Sequence, residues 1–125
     1  MLQKNKMVKA RKAIEYLYNG ICTITEHQKK KRENGSIGFE DIIVHENIPC
    51  RLSFKTVTNT NQTETGASKV VQIIKLFLAP EIQVKPGSKL TITQNGVTND
   101  YCSSGQPAFY VTHQEIVLEL FKEWA

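Results

Sequence analysis

The chain has 125 residues, with 16 Lys and Arg against 12 Asp and Glu, 40% hydrophobic and 22% charged. That is enough for one domain spanning 1–125 with a core of its own, and it excludes a disordered chain. Three scattered cysteines without a Cys-x-x-Cys pair, no membrane-length apolar run and no signal-peptide core argue for a soluble protein made inside the cell, without a membrane partner.

The charge is uneven. Residues 1–35 hold nine basic side chains (Lys4, Lys6, Lys9, Arg11, Lys12, Lys29, Lys30, Lys31 and Arg32) against three acidic ones, while the remaining residues are net acidic. A basic leading segment on a near-neutral body is a candidate contact for DNA or for an acidic partner surface. The plainer alternative is that these side chains only solvate a helix and a loop tip.

Met7, Ala10, Ile14, Leu17 and Tyr18 recur at spacings of three and four, which predicts a helix over 6–19. Asn5 is its candidate N-cap, and Asn19-Gly20 its left-handed stop. About three turns are marginal alone, and Lys6 and Lys9 oppose the helix dipole at its start. The helix is therefore expected to dock on the body or on another protein.

From residue 21 to 125 the period is two, with hairpin signals between the apolar runs. The expected strands begin with Ile21–Gln28, the basic tetrad Lys29 to Arg32 with Asn34-Gly35 serving as a hairpin connection. Gly38–His45 and Pro49–Phe54 follow, with a turn at Asn47-Ile48-Pro49 between them. Lys69–Ala79 is apolar on both faces: Val70, Ile74, Leu76 and Leu78 on one, Val71, Ile73 and Phe77 on the other. Such a strand is either sandwiched within the fold or buried against another subunit. Lys85-Pro86-Gly87-Ser88 suits a type II turn, and Asn95-Gly96 a hairpin between Leu90–Gln94 and Val97–Cys102. Ala108–Thr112 and Glu115–Phe121 complete the set, with Ile116, Leu118 and Leu120 facing inward. The expected fold is mainly β: a small closed or partly open antiparallel barrel of about seven or eight strands with one N-terminal helix.

One stretch stands apart. Residues 55–68 (KTVTNTNQTETGAS) form a long polar loop with Val57 as its single large apolar side chain. A structureless loop of that length is uncommon in a compact domain. Thr58, Asn59, Thr60, Asn61, Gln62 and Thr63, together with Val71, Ile73 and Phe77, are therefore candidates for a subunit interface or a lumen-facing loop that orders on assembly. The alternative is a tolerated surface excursion.

No catalytic signature emerges. Gly35-Ser36-Ile37-Gly38 lacks the pattern of a phosphate cradle, and His27, His45 and His113 have no partner at metal-pair spacing. A site of Cys22, Cys50, Cys102 and one histidine is conceivable across a barrel, but buried cysteines are the commoner explanation. Glu40 and Asp41 are adjacent and so point to opposite faces of a strand. Phe54, Phe77, Tyr101, Phe109, Tyr110 and Phe121 lie in strands where the core is expected to claim them, leaving no alternating basic and aromatic face. His113-Gln114-Glu115 reads as a turn that caps the barrel. An enzyme is not expected, nor a metal or other cofactor.

The motifs Cys50-Arg51-Leu52-Ser53-Phe54, Pro80-Glu81-Ile82, Lys85-Pro86-Gly87-Ser88-Lys89 and Thr93-Gln94-Asn95-Gly96 occur in order. Ser104-Gly105-Gln106-Pro107-Ala108 and Thr112-His113-Gln114-Glu115-Ile116 through Trp124 continue the series. Together they resemble the XkdH/YqbH group of PBSX-type prophages and related contractile-tailed phages, from about Ala10 to Ala125. The resemblance implies a head–tail connector protein that completes or closes the phage head, a "stopper" beneath the portal and its adaptor. It implies a ring, six-fold favoured and twelve-fold possible, around the packaged DNA, with a tail terminator or tail tube on its other side. The implied place is the virion neck, assembled in the host cytoplasm. It offers no catalytic residues to carry over. Two other readings stay open: a tail-terminator or tail-completion ring, and a basic OB-like nucleic-acid-binding module.

Overall fold

The computed structural model describes residues 2–59 and 69–124. A helix, α1 (Leu2–Glu15), precedes seven strands: β1 (Gly20–Lys31), β2 (Ile37–Asn59), β3 (Lys69–Leu78), β4 (Lys89–Gln94), β5 (Val97–Ser103), β6 (Ala108–Phe109) and β7 (Gln114–Leu120). Every pairing is antiparallel, in the order β3–β2–β1–β4–β5–β7. β7 then pairs back onto β3, so the hydrogen bonds run in a closed ring, with β6 hanging from β7. The mainly β antiparallel expectation holds, and closure leaves few unpaired edges around the core.

The core sits inside that ring. Cys22, Ile24, Cys50, Leu76, Leu78, Leu90 and Ile116 are fully buried, joined by Ile92, Leu52, Leu118, Tyr101 and Val84. Period two explains the selection: Cys22 and Ile24 on β1, Leu76 and Leu78 on β3, and Ile116 and Leu118 on β7 each occupy alternate positions. The cysteines are free, Cys22 and Cys50 buried as the small apolar groups expected. Two turns keep their predicted chemistry. Asn95 and Gly96 both have positive φ (53° and 77°), the left-handed pair a two-residue hairpin needs. Gly87 has φ 83°, and the Ser88 N–H donates to the Lys85 carbonyl across the Pro86-Gly87 corner.

Several elements differ from expectation. The helix starts at Leu2, placing Asn5 within it, and ends at Glu15. Tighter bonds from Leu17 N to Ile14 O and from Tyr18 N to Glu15 O turn the chain toward the body, so the helix does not reach Asn19-Gly20. Gly20 is the first residue of β1. A Cβ there would meet Gln94 Oε1, the Cys50 carbonyl and Cys50 Sγ at 3.0–3.2 Å, so close packing, not a left-handed stop, accounts for the glycine.

The two strands expected around Asn47-Ile48-Pro49 are one, the 23-residue β2. Asn47 does take a left-handed conformation (φ 52°), but the chain does not reverse there. Between Cys22↔Ile48 and Thr25↔Ile43 the register slips twice, so β2 carries extra residues and bends as bulges do. The basic tetrad is not a loop either: Lys29, Lys30 and Lys31 end β1, and the connection is 32–36, closed by a bond from Arg32 N to Ser36 O.

Residues 55–59 of the expected polar loop belong to β2 and pair with 69–73 of β3; Thr60, Asn61, Gln62 and Thr63 lie outside the described residues. Cross-strand pairing supplies the order that composition did not promise. Leu120 is 57% exposed because β7 leaves β3 at Leu118 and joins the rim of β5. Phe54, at the last closed level of the ring, and Phe109 and Tyr110, on and just after β6, are likewise exposed. Among the described residues no helix is long and apolar enough to cross a membrane.

Candidate functional site

Among the described residues, the longest stretches of strand without a second partner lie at the two ends of β2. Its first half, through Cys50, pairs with β1; its second half, from Cys50, pairs with β3. β1 meets β4 only from Gly20 to Thr25, so Glu26–Lys31 and Ile37–Ile42 extend past the ring as a two-stranded arm. At the other end β3 meets β7 only from Ile74 to Leu78, so 55–59 and 69–73 form a second arm. A two-stranded ribbon is marginal by itself. Each of these needs support from the body or from a partner.

The first arm has a built foot. His27 stacks between Phe39 (4.7 Å, 8°) and Trp124 (4.8 Å, 12°), and its Nδ1 lies 2.7 Å from Asp41 Oδ1. Trp124 meets Phe121 edge-on at 4.9 Å, and the Lys89 ammonium lies over both rings at 5.5 and 5.7 Å. Register brings His27 opposite Asp41 and Lys29 opposite Phe39. The chain's last turn thus props the arm where its pairing with β4 stops. Beside this prop lies a cavity of about 510 Å³ between Glu26–Gln28 and the 85–88 turn.

At the arm's tip Lys29, Lys31 and Arg32 are exposed, Lys30 reaches Glu40 at 2.9 Å, and Arg32 lies over Gly38. A Cβ at Gly38 would come within 2.5–2.9 Å of the guanidinium, so glycine admits the arginine. The other basic candidates are on α1. Lys6, Lys9 and Lys12 are exposed there, while the side chain of Lys4 lies outside the described residues. Arg11 is taken: it forms a fork with Glu81 (Nη2–Oε2 2.7 Å) and binds Glu15 at 2.7 Å, which raises its pKa and holds Glu81 below the usual carboxylate range. The nine basic residues therefore fall on two elements, a helix and a hairpin tip.

The second arm gathers the apolar candidates. Val71 stands opposite Val57 and Ile73 opposite Lys55, on the face away from the core that also carries Phe77. Val71 is 43% and Val70 65% exposed. Thr58 is exposed near the end of this arm, and the side chain of Asn59 lies outside the described residues. Phe77 is set apart from Val71 and Ile73 by its neighbours: Ile14, Leu17 and Tyr18 of the helix end border a cavity with it, Arg51, Ser53 and His113. The helix end faces that cavity and Arg11 ties the helix to Glu81, while Met7 and Val8 stay exposed.

His113-Gln114-Glu115 does more than turn the chain. Gln114 is fully buried and its amide donates to the carbonyls of Ala79 (2.8 Å) and Ile82 (2.5 Å), fastening the segment that carries Glu81. His113 lies between Thr112 Oγ1 and Glu115, stacked on Tyr110. A hydrogen bond to Cys50 and burial push the pKa of the Cys22 thiol up, and burial beside Glu119 pushes that of Cys102 up. Cys102 pairs with Glu119 on β7 and does not join Cys22 and Cys50; among the described residues no group of His, Cys, Asp and Glu could hold a metal ion.

The stack at the foot of the first arm was not foreseen. A hairpin closed at 32–36 sets His27 opposite Asp41, which register arithmetic reaches, but nothing local brings Trp124 across from the far end of the chain.

No family model matches the chain, and no curated protein does. Among solved structures it is similar to protein xkdH of the phage-like element PBSX of Bacillus subtilis. The match has 15% identity, covers 80% of this chain and 91% of that one, and has a TM-score of 0.47. At that identity the likeness is one of fold alone. That protein comes from the group which the motifs of the second half resemble.

Proposed function

We propose that this chain is a non-enzymatic structural subunit of a phage or phage-like particle. It forms a ring in the head–tail connector, below the portal and its adaptor, closing the head and docking the tail. The observation that carries this reading is the pair of arms at opposite ends of β2. A closed ring of strands satisfies itself, yet this one extends two ribbons whose outer edges have no partner among the described residues. Repeated contact between two different patches is what generates a closed ring of subunits. The ordered motifs of the second half add to it independently, as a sequence resemblance.

The basic residues fit contact with passing DNA better than tight nucleic-acid binding. The hairpin offers a single aromatic ring, Phe39, with one face stacked on His27, whereas single-strand binders interleave several such rings with their basic groups. Weak, salt-sensitive contact with a phosphate backbone is expected of such a tip.

Electron microscopy of particles made without this gene, with an assay for retained DNA, tests the reading. Tailless heads that have lost their DNA beside complete free tails are the expected result. Full heads beside tails of uncontrolled length would place the protein at the tail end instead. Normal joined particles, with tight salt-dependent oligonucleotide binding by the protein, would favour the nucleic-acid module.

A further inference from the structure

We propose that the first arm is an interface between copies of this chain, in which the outer edge of β1 in one copy pairs with the outer edge of β2 in the next. The inference rests on the ring reading above and names the surface that builds the ring. On this arm two edges lack a second strand: β1 from Glu26 to Lys31, where β4 has stopped, and β2 from Ile37 to Glu46, where β3 has not begun. Each presents main-chain donors and acceptors ready for another strand.

The two edges differ in charge. β1 carries Lys29, Lys30 and Lys31; β2 carries Glu40, Asp41 and Glu46. Lys30 and Asp41 have partners within the arm, but Lys29, Lys31 and Glu46 have no ion-pair partner among the described residues. Because the opposite charges lie on different strands, complementarity favours a head-to-tail contact that repeats. The apolar content is also uncovered: Ile37 is 63%, Phe39 61% and Ile43 53% exposed.

Direction fits as well. β1 climbs to the arm's tip and β2 descends from it. Copies related by rotation about an axis along the arm therefore set β1 beside a neighbour's β2 in antiparallel sense, continuing the alternation within the hairpin. At the foot of β1 the cavity beside Trp124 leaves space for the end of an added strand. Ser88, which lines it, is 2% exposed and its Oγ lacks a hydrogen-bond partner.

The test uses two charge-reversed variants, K29E/K31E and E40K/E46K, with sedimentation velocity over a concentration series. All four positions are exposed, and unchanged circular dichroism and thermal midpoint will show that each variant folds. The wild-type chain is expected to associate, and each variant alone to associate on the order of tenfold more weakly. An equal mixture of the two is expected to recover association, because each then offers the edge the other needs. Hydrogen exchange at 26–31 and 37–46 should slow as the wild-type concentration rises. Variants that associate as well as wild type, or a mixture that recovers nothing, would overturn the edge pairing. So would a wild-type chain still monomeric at about 1 mM. If particles lacking the gene nevertheless show DNA-free, tailless heads, the connector reading survives and this interface alone falls.

Discussion

The closed ring and the arms are made from the same strands, yet they follow opposite rules. On β3, Leu76 and Val70 occupy the same face six residues apart; Leu76 is fully buried and Val70 is 65% exposed. What separates them is the neighbour: at Leu76 the strand has β2 on one side and β7 on the other, while at Val70 it has β2 alone. Apolar side chains in the ring therefore stabilise the fold, and equally apolar side chains on the arms are available for something else. The lesson is that the closing pair β3–β7 sets where folding ends and where assembly surface begins.

The largest expected effect sharpens that contrast directly. Leu76→Ala should cost about 2–5 kcal/mol in urea unfolding, through lost transfer energy and the cavity left behind. Val70→Ala on the same face should stay within about 0.5 kcal/mol, as at other exposed positions. Equal losses at the two sites would mean that the second arm is packed onto the body.

Next in size is Gln114→Leu. It strips both the Ala79 and Ile82 carbonyls of their donor, and about 1–3 kcal/mol should be lost by the same measurement. Hydrogen exchange should also quicken around 79–82.

Trp124→Ala asks whether the first arm depends on its prop. Removing one ring of the stack on His27 should cost about 0.5–1.5 kcal/mol. Amides in 26–31 and 37–42 should exchange faster, while those paired between β3 and β7 hold their protection. Uniform loosening would show that the arm and ring form one cooperative unit.

The smallest effect concerns the helix. Arg11 lowers the pKa of Glu81 in the folded state, so the contribution of this pair is present above the ordinary glutamate value of about 4.3. It is lost as pH falls through the lower folded value. Glu81 is well exposed and Arg11 about a third exposed (34%), so solvent screening keeps the change in global stability slight. Faster exchange in α1 under acid, and the same effect at neutral pH in Glu81→Gln, would confirm the tether. A helix indifferent to both is held by Ile14, Leu17 and Tyr18 alone.

Much of this was legible locally. Asn95-Gly96 and Pro86-Gly87 specify their turns by backbone conformation, which depends on those residues themselves. The inward residues of β1, β3 and β4 follow from alternation. The turn expected at Asn47-Ile48-Pro49 failed because a left-handed asparagine also suits a bulge, and only pairing along β1 decides between them. The polar stretch 55–59 read as loop because its order comes from β3 across the hairpin, not from its own composition. Of the site, the basic tip was visible as a run of charge, whereas the loss of Arg11 to Glu81 was not, since the partners lie 70 residues apart.

By itself the sequence determined the strand alternation, the two tight turns, the buried cysteines and the placement of positive charge on two segments. These are properties of a residue and its near neighbours, set by side-chain period and by allowed backbone angles. Tertiary structure decided where each strand gains or loses its second partner, because closure of the ring depends on pairings between distant segments. That choice makes arms of 26–31 with 37–42 and of 55–59 with 69–73, buries Leu76 while exposing Val70, and brings Trp124 to His27 at the foot of the surface proposed to join one copy to the next.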